Sequence, residues 1–182
     1  MIVFAKYKEN PEQMDILAVL GNGKTTTGKR YFLELNKRYD KLTPQQRDHF
    51  LHADLVAQKQ MAFLAVCKTY SFIRDFVLEV LREKSLVFDD CITEGDYISF
   101  LRQKQDAHAE MDQLTEKSLS KIKQVVFKML EQASIINNIK DRIIQTQILD
   151  AKTIDVIIND DPEWLKIFLL SDADIENINT KI

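Results

Sequence analysis

The decapeptide Gly21–Arg30, GNGKTTTGKR, admits two readings, and each belongs to a different fold class. In one, Gly23, four residues, Gly28 and Lys29 make a phosphate-binding loop between a strand at Met14–Leu20 and a helix, embedded in a parallel sheet. In the other, Gly21-Asn22-Gly23 is the turn between two helices of an all-helical protein. The loop reading fails on chemistry, because the residue after its Lys must carry a hydroxyl for magnesium, and Arg30 stands there. It also fails on context, since no alternation of strands and helices surrounds it. Ile154–Asp160 (IDVIIND) looks like a strand ending in a metal-binding Asp, but it follows helical cues.

Composition agrees with the helical reading. Only 4 Gly and 3 Pro in 182 residues leave too few turn residues for a sandwich or barrel, and a 45% hydrophobic content supplies a real core. Asn10-Pro11-Glu12-Gln13 predicts a helix start capped by Asn10 and running to Leu20. Gly28, Phe32, Leu35, Tyr39 and Leu42 then recur at helical spacing after the threonines. Thr43-Pro44-Gln45-Gln46 repeats the cap signature for a helix to about His52. One broken or two consecutive helices are expected over Ala53–Lys84, and further helices start at Thr93 and Thr115, the latter running to about Gln132. Ala151–Asn159 and Glu163–Leu170 read as two short final helices. The alternation in Ile143–Leu149 leaves a short strand, arm or hairpin open there.

The expected architecture is all-α: a compact multi-helix domain with two helix-turn-helix-like units. It is a single domain over 1–182, with one such unit at about 1–42, a helical core at about 44–90 and the second unit at about 93–175. Cys67 and Cys91 lie in apolar sequence without CxxC spacing and read as reduced structural cysteines of a cytoplasmic protein. Lys6, Lys8 and Glu9 interrupt any secretory signal, and no apolar run approaches the length that crosses a bilayer.

Net charge is −3, so nucleic-acid binding has to come from local patches. One exists. Between Lys24 and Leu42 the basic residues Lys24, Lys29, Arg30, Lys37, Arg38 and Lys41 face only the acids Glu34 and Asp40. A helix starting at about Thr25 would offer backbone N–H groups, its dipole and the hydroxyls of Thr25, Thr26 and Thr27 to a phosphate. Lys117, Lys121, Gln124 and Lys128 line the polar face of the Thr115–Gln132 helix, with Ser118 near its start. Such contacts hold a DNA backbone without reading bases. A solvated helix face is the competing reading. His49 and His52 are spaced for a metal but lack a third ligand, Asp160, Asp161 and Glu163 read as capping acids around Pro162, and no catalytic arrangement or cofactor motif is present.

Several stretches resemble the BrxA family of the bacteriophage-exclusion (BREX) defence systems. They are Thr26–Arg30 (TTGKR) leading into YFLELNKRYDKLT, Lys68–Lys84 (KTYSFIRDFVLEVLREK), Asp96–Lys104 (DYISFLRQK) and Leu114–Leu130 (LTEKSLSKIKQVVFKML). The similarity runs from about Met14 to Ile175. It implies an all-helical, cytoplasmic, non-enzymatic DNA-binding protein that acts beside a methyltransferase, an ATPase and a phosphatase-like protein; the expected DNA is double-stranded, and the residues themselves give no reason to expect a cofactor or metal. Family members usually carry residues before the point where this chain begins, which implies a shortened first helix. The binding role carries onto Thr25, Thr26, Thr27, Lys29, Arg30, Lys117, Ser118 and Lys121 at the matching helix starts, and local charge adds Lys24 and Lys37 to the expected DNA contacts. The alternative is a protein-interaction scaffold of the same defence complex, suggested by the negative net charge and by the eight acids against Lys152 and Lys166 in Asp150–Glu176.

Overall fold

The computed structural model describes residues 1–180. In chain order the helices are α1 (Ile2–Glu9), α2 (Ile16–Gly21), α3 (Thr25–Tyr39), α4 (Pro44–His52), α5 (Leu55–Thr69) and α6 (Ser71–Phe76). They continue with α7 (Glu83–Leu86), α8 (Glu94–Ala107), α9 (Glu116–Gln132), α10 (Ala151–Ile158) and α11 (Asp172–Asn179). A π-helical turn, Val77–Arg82, joins α6 to α7, and 3-10 turns occupy Pro11–Gln13, Ala109–Gln113 and Pro162–Phe168. The fold is all-α, with no sheet among the described residues. Around 143–149 there is neither a hairpin nor a strand. The chain is extended, and only two isolated antiparallel bridges form, Cys91 with Ile143 and Ile136 with Ile144. Its backbone bonds go to loops: Ile144 N–H donates to Asp90 and Gln145 N–H to Ile135.

The chain divides into two compact units that interleave in sequence. The first contains Met1–Ser71 and Leu149–Pro162, and the second contains Phe72–Ile148 and the chain from Glu163 onward. In the first unit α1 brings Phe4 edge-on to Phe32 (5.3 Å between ring centroids) and Tyr39 (6.0 Å), both on α3. Phe4 is fully buried, so the short α1 is held by packing rather than by caps. The expected Asn10 cap is not used. Asn10 makes no side-chain cap bond, Pro11–Gln13 closes as a 3-10 turn, and α2 starts later, with Asp15 accepting from Ala18 N–H. Thr43 and Gln46 do form the expected capping box on α4.

Gln46 then does more than cap. Its side chain is fully buried; its Oε1 accepts from Thr43 N–H (3.1 Å) and from Lys68 Nζ (2.9 Å), while its Nε2 donates to the Val156 carbonyl of α10 (3.0 Å). Lys68 also reaches Asp160 at 2.5 Å. Asp160 therefore serves an ion pair, which the capping reading of this acid did not foresee. Gln46→Ala should lower stability by about 2 kcal/mol, because it strands several buried polar partners. Urea unfolding with an unchanged midpoint would contradict that role.

The second unit is centred on Phe76, whose ring meets Tyr97 (5.5 Å), Phe100 (5.0 Å) and Phe127 (5.9 Å). Arg142 stacks its guanidinium 4.4 Å from the Phe127 centroid. Arg82, in the π-helical turn, is buried and donates through Nε to the Leu170 carbonyl. The expected helix at Glu163–Leu170 is instead the 3-10 segment Pro162–Phe168, and α11 follows it behind a Ser171/Asp174 capping box. Cys67 is buried, but Cys91 is exposed, unlike the structural cysteine its apolar sequence context suggested.

Candidate nucleic-acid interface

The stretch Gly21–Arg30 folds as a helix end, a turn and a helix start, so Gly28 and Lys29 lie within a helix rather than in a phosphate loop. α2 closes with a left-handed residue, Asn22 (φ 47°), followed by Gly23 (φ 82°). Gly23 N–H returns to the Ala18 carbonyl (2.9 Å) and Asn22 N–H to Val19 (3.4 Å), the bond pattern of a Schellman ending. Two glycines then let α2 and α3 touch backbone to backbone. A Cβ on Gly28 would sit 2.1 Å from the Leu17 carbonyl oxygen, and one on Gly21 would sit 2.7 Å from Gly28 N. The turn and the crossing together fix where α3 begins.

That beginning is open. Lys24 occupies the cap position without a side-chain cap bond, and the first turn holds no acid. α4, α5, α8, α9, α10 and α11 each have a Thr, Asp or Ser side chain accepting from their own first turn. At α3 the amides of Thr25, Thr26 and Thr27 precede the first intrahelical bond, which Gly28 N–H makes to Lys24. Lys24, all three threonines, Lys29 and Arg30 are exposed. No ion pair engages Lys24, Lys29 or Arg30 among the described residues. Lys37 is exposed too, but its ammonium lies 5.2 Å from the Tyr70 ring centroid. Arg38 is committed to Glu34 (2.8 Å) and to the same ring.

Two comparisons with known proteins bear on this chain. The family model described as BrxA matches residues 7–161. The chain belongs to the BrxA family. A BREX protein BrxA of Bacillus cereus (strain H3081.97) is 25% identical over 107 residues, which cover 58% of this chain and 54% of that relative. The match thus spans about half the length of the curated relative. Family membership implies a component of a BREX phage-defence system.

The second expected start, at α9, is built differently. Thr115 caps it by accepting from Ser118 N–H (3.2 Å), and the Ser118 hydroxyl is bonded to Thr115 Oγ1 (3.0 Å). Glu116 adds a negative charge to the first turn. Lys117 and Lys121 are exposed and without ion pairs among the described residues, whereas Lys128 pairs with Glu131 and Lys123 with Glu94. The positions at α3 and α9 lie in different units, each with its own local charge.

The structure shows one further α3 residue in this setting. Leu33 is 70% exposed and stands at helical spacing from Lys29, Arg30 and Lys37. A helical projection of the sequence already puts it among those bases and away from the Phe32/Leu35/Tyr39 stripe.

His49 and His52 have separate uses. His49 is buried, with Nε2 2.7 Å from Thr153 Oγ1, which in turn donates to Asp150 at 2.6 Å. His49 therefore donates, as the neutral Nε2–H tautomer. His52 is exposed beside Asp48. Among the described residues no three His, Cys, Asp or Glu are grouped to hold a metal, and no helix is long and apolar enough to cross a membrane.

Burial lowers the His49 pKa below 6.5, against the opposing pull of Asp150. The native state thus favours the neutral ring, and the unfolded chain binds the extra proton first as pH falls. Stability held above pH 6.5 is lost below it. Melting curves from about pH 7.5 to about pH 5 should show this slope, and His49→Gln should flatten it. An identical slope in the variant would assign the effect elsewhere.

Proposed function

We propose that this BrxA-family protein is a non-enzymatic DNA-binding component of a BREX system, acting in the cytoplasm and holding duplex DNA mainly by its phosphates. The observation that carries the reading is the uncapped α3 start. Three free amides, three hydroxyls and the dipole of a fifteen-residue helix meet the unpaired charges of Lys24, Lys29 and Arg30. Among the described residues these donors have no internal acceptor, and a phosphate oxygen matches them in charge and geometry. Lys37 extends the same face. Lys117, Lys121 and Ser118 are the weaker contributors, because their helix start is already capped and carries Glu116. The partners are double-stranded DNA and other proteins of the same BREX system.

Anisotropy titrations of a labelled duplex at several salt concentrations test this. Binding should weaken steeply with salt, by a slope of roughly 0.9 per phosphate neutralised. Absence of duplex binding at low salt would end the proposal. A protein-interaction scaffold is the second reading, and an exposed apolar tip in the second unit favours it.

A further inference from the structure

The C-terminal end of α7 carries an aromatic residue that the fold gives no use. Asp89 N–H returns to the Lys84 carbonyl (2.9 Å) and Phe88 N–H to Ser85 (3.1 Å), so this end is another Schellman closure. The left-handed position of that motif is usually glycine, because a side chain is strained there, and at the same motif after α9 this chain places the small Ser134. Here it is Phe88, at φ 61°. Phe88 is 91% exposed and Val87 beside it 71% exposed, with Leu86 also exposed. Nothing within the protein is gained by a phenyl group at this point, since the hydrophobic contact of a Schellman motif involves the residues on either side of it.

Ion pairs and backbone hydrogen bonds flank the segment on both sides. Lys84 pairs with Asp89 (2.5 Å) and Asp96 (3.2 Å), and Asp89 Oδ1 accepts from Cys91 N–H (3.3 Å). Beyond it, Cys91 bridges to Ile143 and Ile92 N–H donates to the Arg142 carbonyl. The rim is acidic. Glu83, Asp89 and Asp90 are exposed, whereas the neighbouring bases are turned inward: Lys84 onto its two carboxylates and the buried Arg82 onto Glu83 and Asp172.

We propose that Leu86–Asp90 is a docking tip that inserts Phe88 and Val87 into an apolar pocket, rimmed by Lys or Arg, on another protein of the BREX system. The acidic rim repels nucleic acid and anionic lipid, which leaves a protein of opposite charge as the occupant. A backbone already closed by its own hydrogen bonds and a central aromatic are features of a binding hot spot. The inference rests on the placement beside other BREX proteins made above, and it does not depend on DNA binding.

The test uses the full chain and each other protein of the same BREX system, purified and titrated against it in turn. Four forms are compared: wild type, Phe88→Gly, Phe88→Leu and Asp90→Lys. One of the proteins should bind the wild type, bind Phe88→Leu within a fewfold, and lose at least about thirtyfold with Phe88→Gly. Asp90→Lys should weaken the same complex. Phe88→Gly should also melt roughly 2 °C higher than wild type, because it relieves the left-handed strain. Three results would each overturn the proposal: no protein of the system binds, Phe88→Gly binds as well as wild type, or the tip binds only a second copy of this chain. Duplex binding by Phe88→Gly, measured alongside, should match wild type, so failure of the DNA reading shows separately.

Discussion

Replacing Gly28 by alanine should cost the protein about 3 kcal/mol or more, a melting temperature lower by roughly 6–12 °C. The added carbon would lie 2.1 Å from the Leu17 carbonyl oxygen and 2.9 Å from its carbon. Both obstacles are backbone, so no rotamer change can make room and the helices α2 and α3 have to part. Parting them uncovers the contact on which the turn Asn22–Lys24 is built, and α3 shifts with its open first turn. Gly95 and Gly23 provide the contrast. A Cβ on Gly95 would stand 3.5 Å from Thr93 Oγ1, an ordinary contact, so Gly95→Ala should change stability by less than about 1 kcal/mol. Gly23 has open space but a φ of 82°, so Gly23→Asn should be mild, whereas a β-branched residue there should not. Thermal unfolding followed by circular dichroism decides the matter. A Gly28→Ala protein that melts with wild type would mean that the helices do not cross so closely.

The double change Lys29→Ala/Arg30→Ala should leave the fold intact and weaken duplex binding about tenfold or more, equally for unrelated sequences. Both side chains are exposed and unpaired among the described residues, so neither supports the structure. Each phosphate contact removed should flatten the salt dependence by roughly one unit of slope. Lys128→Ala is the matched comparison, because Lys128 is already neutralised by Glu131. If both proteins bind DNA like wild type, the α3 start is not where the duplex sits.

How far these features could be read from residues alone depends on what holds each one. The α4 and α9 starts were legible, since a Thr with a Gln or Ser three residues on satisfies its own helix locally. Asn10 carried the same local signal and failed. The chain placed α2 where it meets α3, and Asp15 caps that later start. α1 was hidden because its support is the burial of Phe4 against rings almost thirty residues away or more. The roles of Gly28 and Gln46 were mis-sized for a related reason. Gly28 read as one position on an apolar stripe and Gln46 as a cap, yet one is a backbone crossing point and the other a buried hub reaching Val156. The open α3 start was the legible part of the candidate site. Sequence could not tell it from α9, where Ser118 looks like a donor and is in fact occupied by Thr115.

The interleaving of the two units governs how this protein can be made and cut. The first unit needs α10, whose Val156 carbonyl receives Gln46, and α10 is translated after the larger segment of the second unit, Phe72–Ile148. On the ribosome the first unit cannot finish until α10 has emerged, so it is still incomplete when the second unit begins to appear, contrary to the usual vectorial order. No single cut releases either unit whole. A fragment ending near Ile148 would expose the seat of α10, and one beginning at Phe72 would carry α10 without its seat. Pieces of this protein should therefore be complemented by one another rather than studied apart.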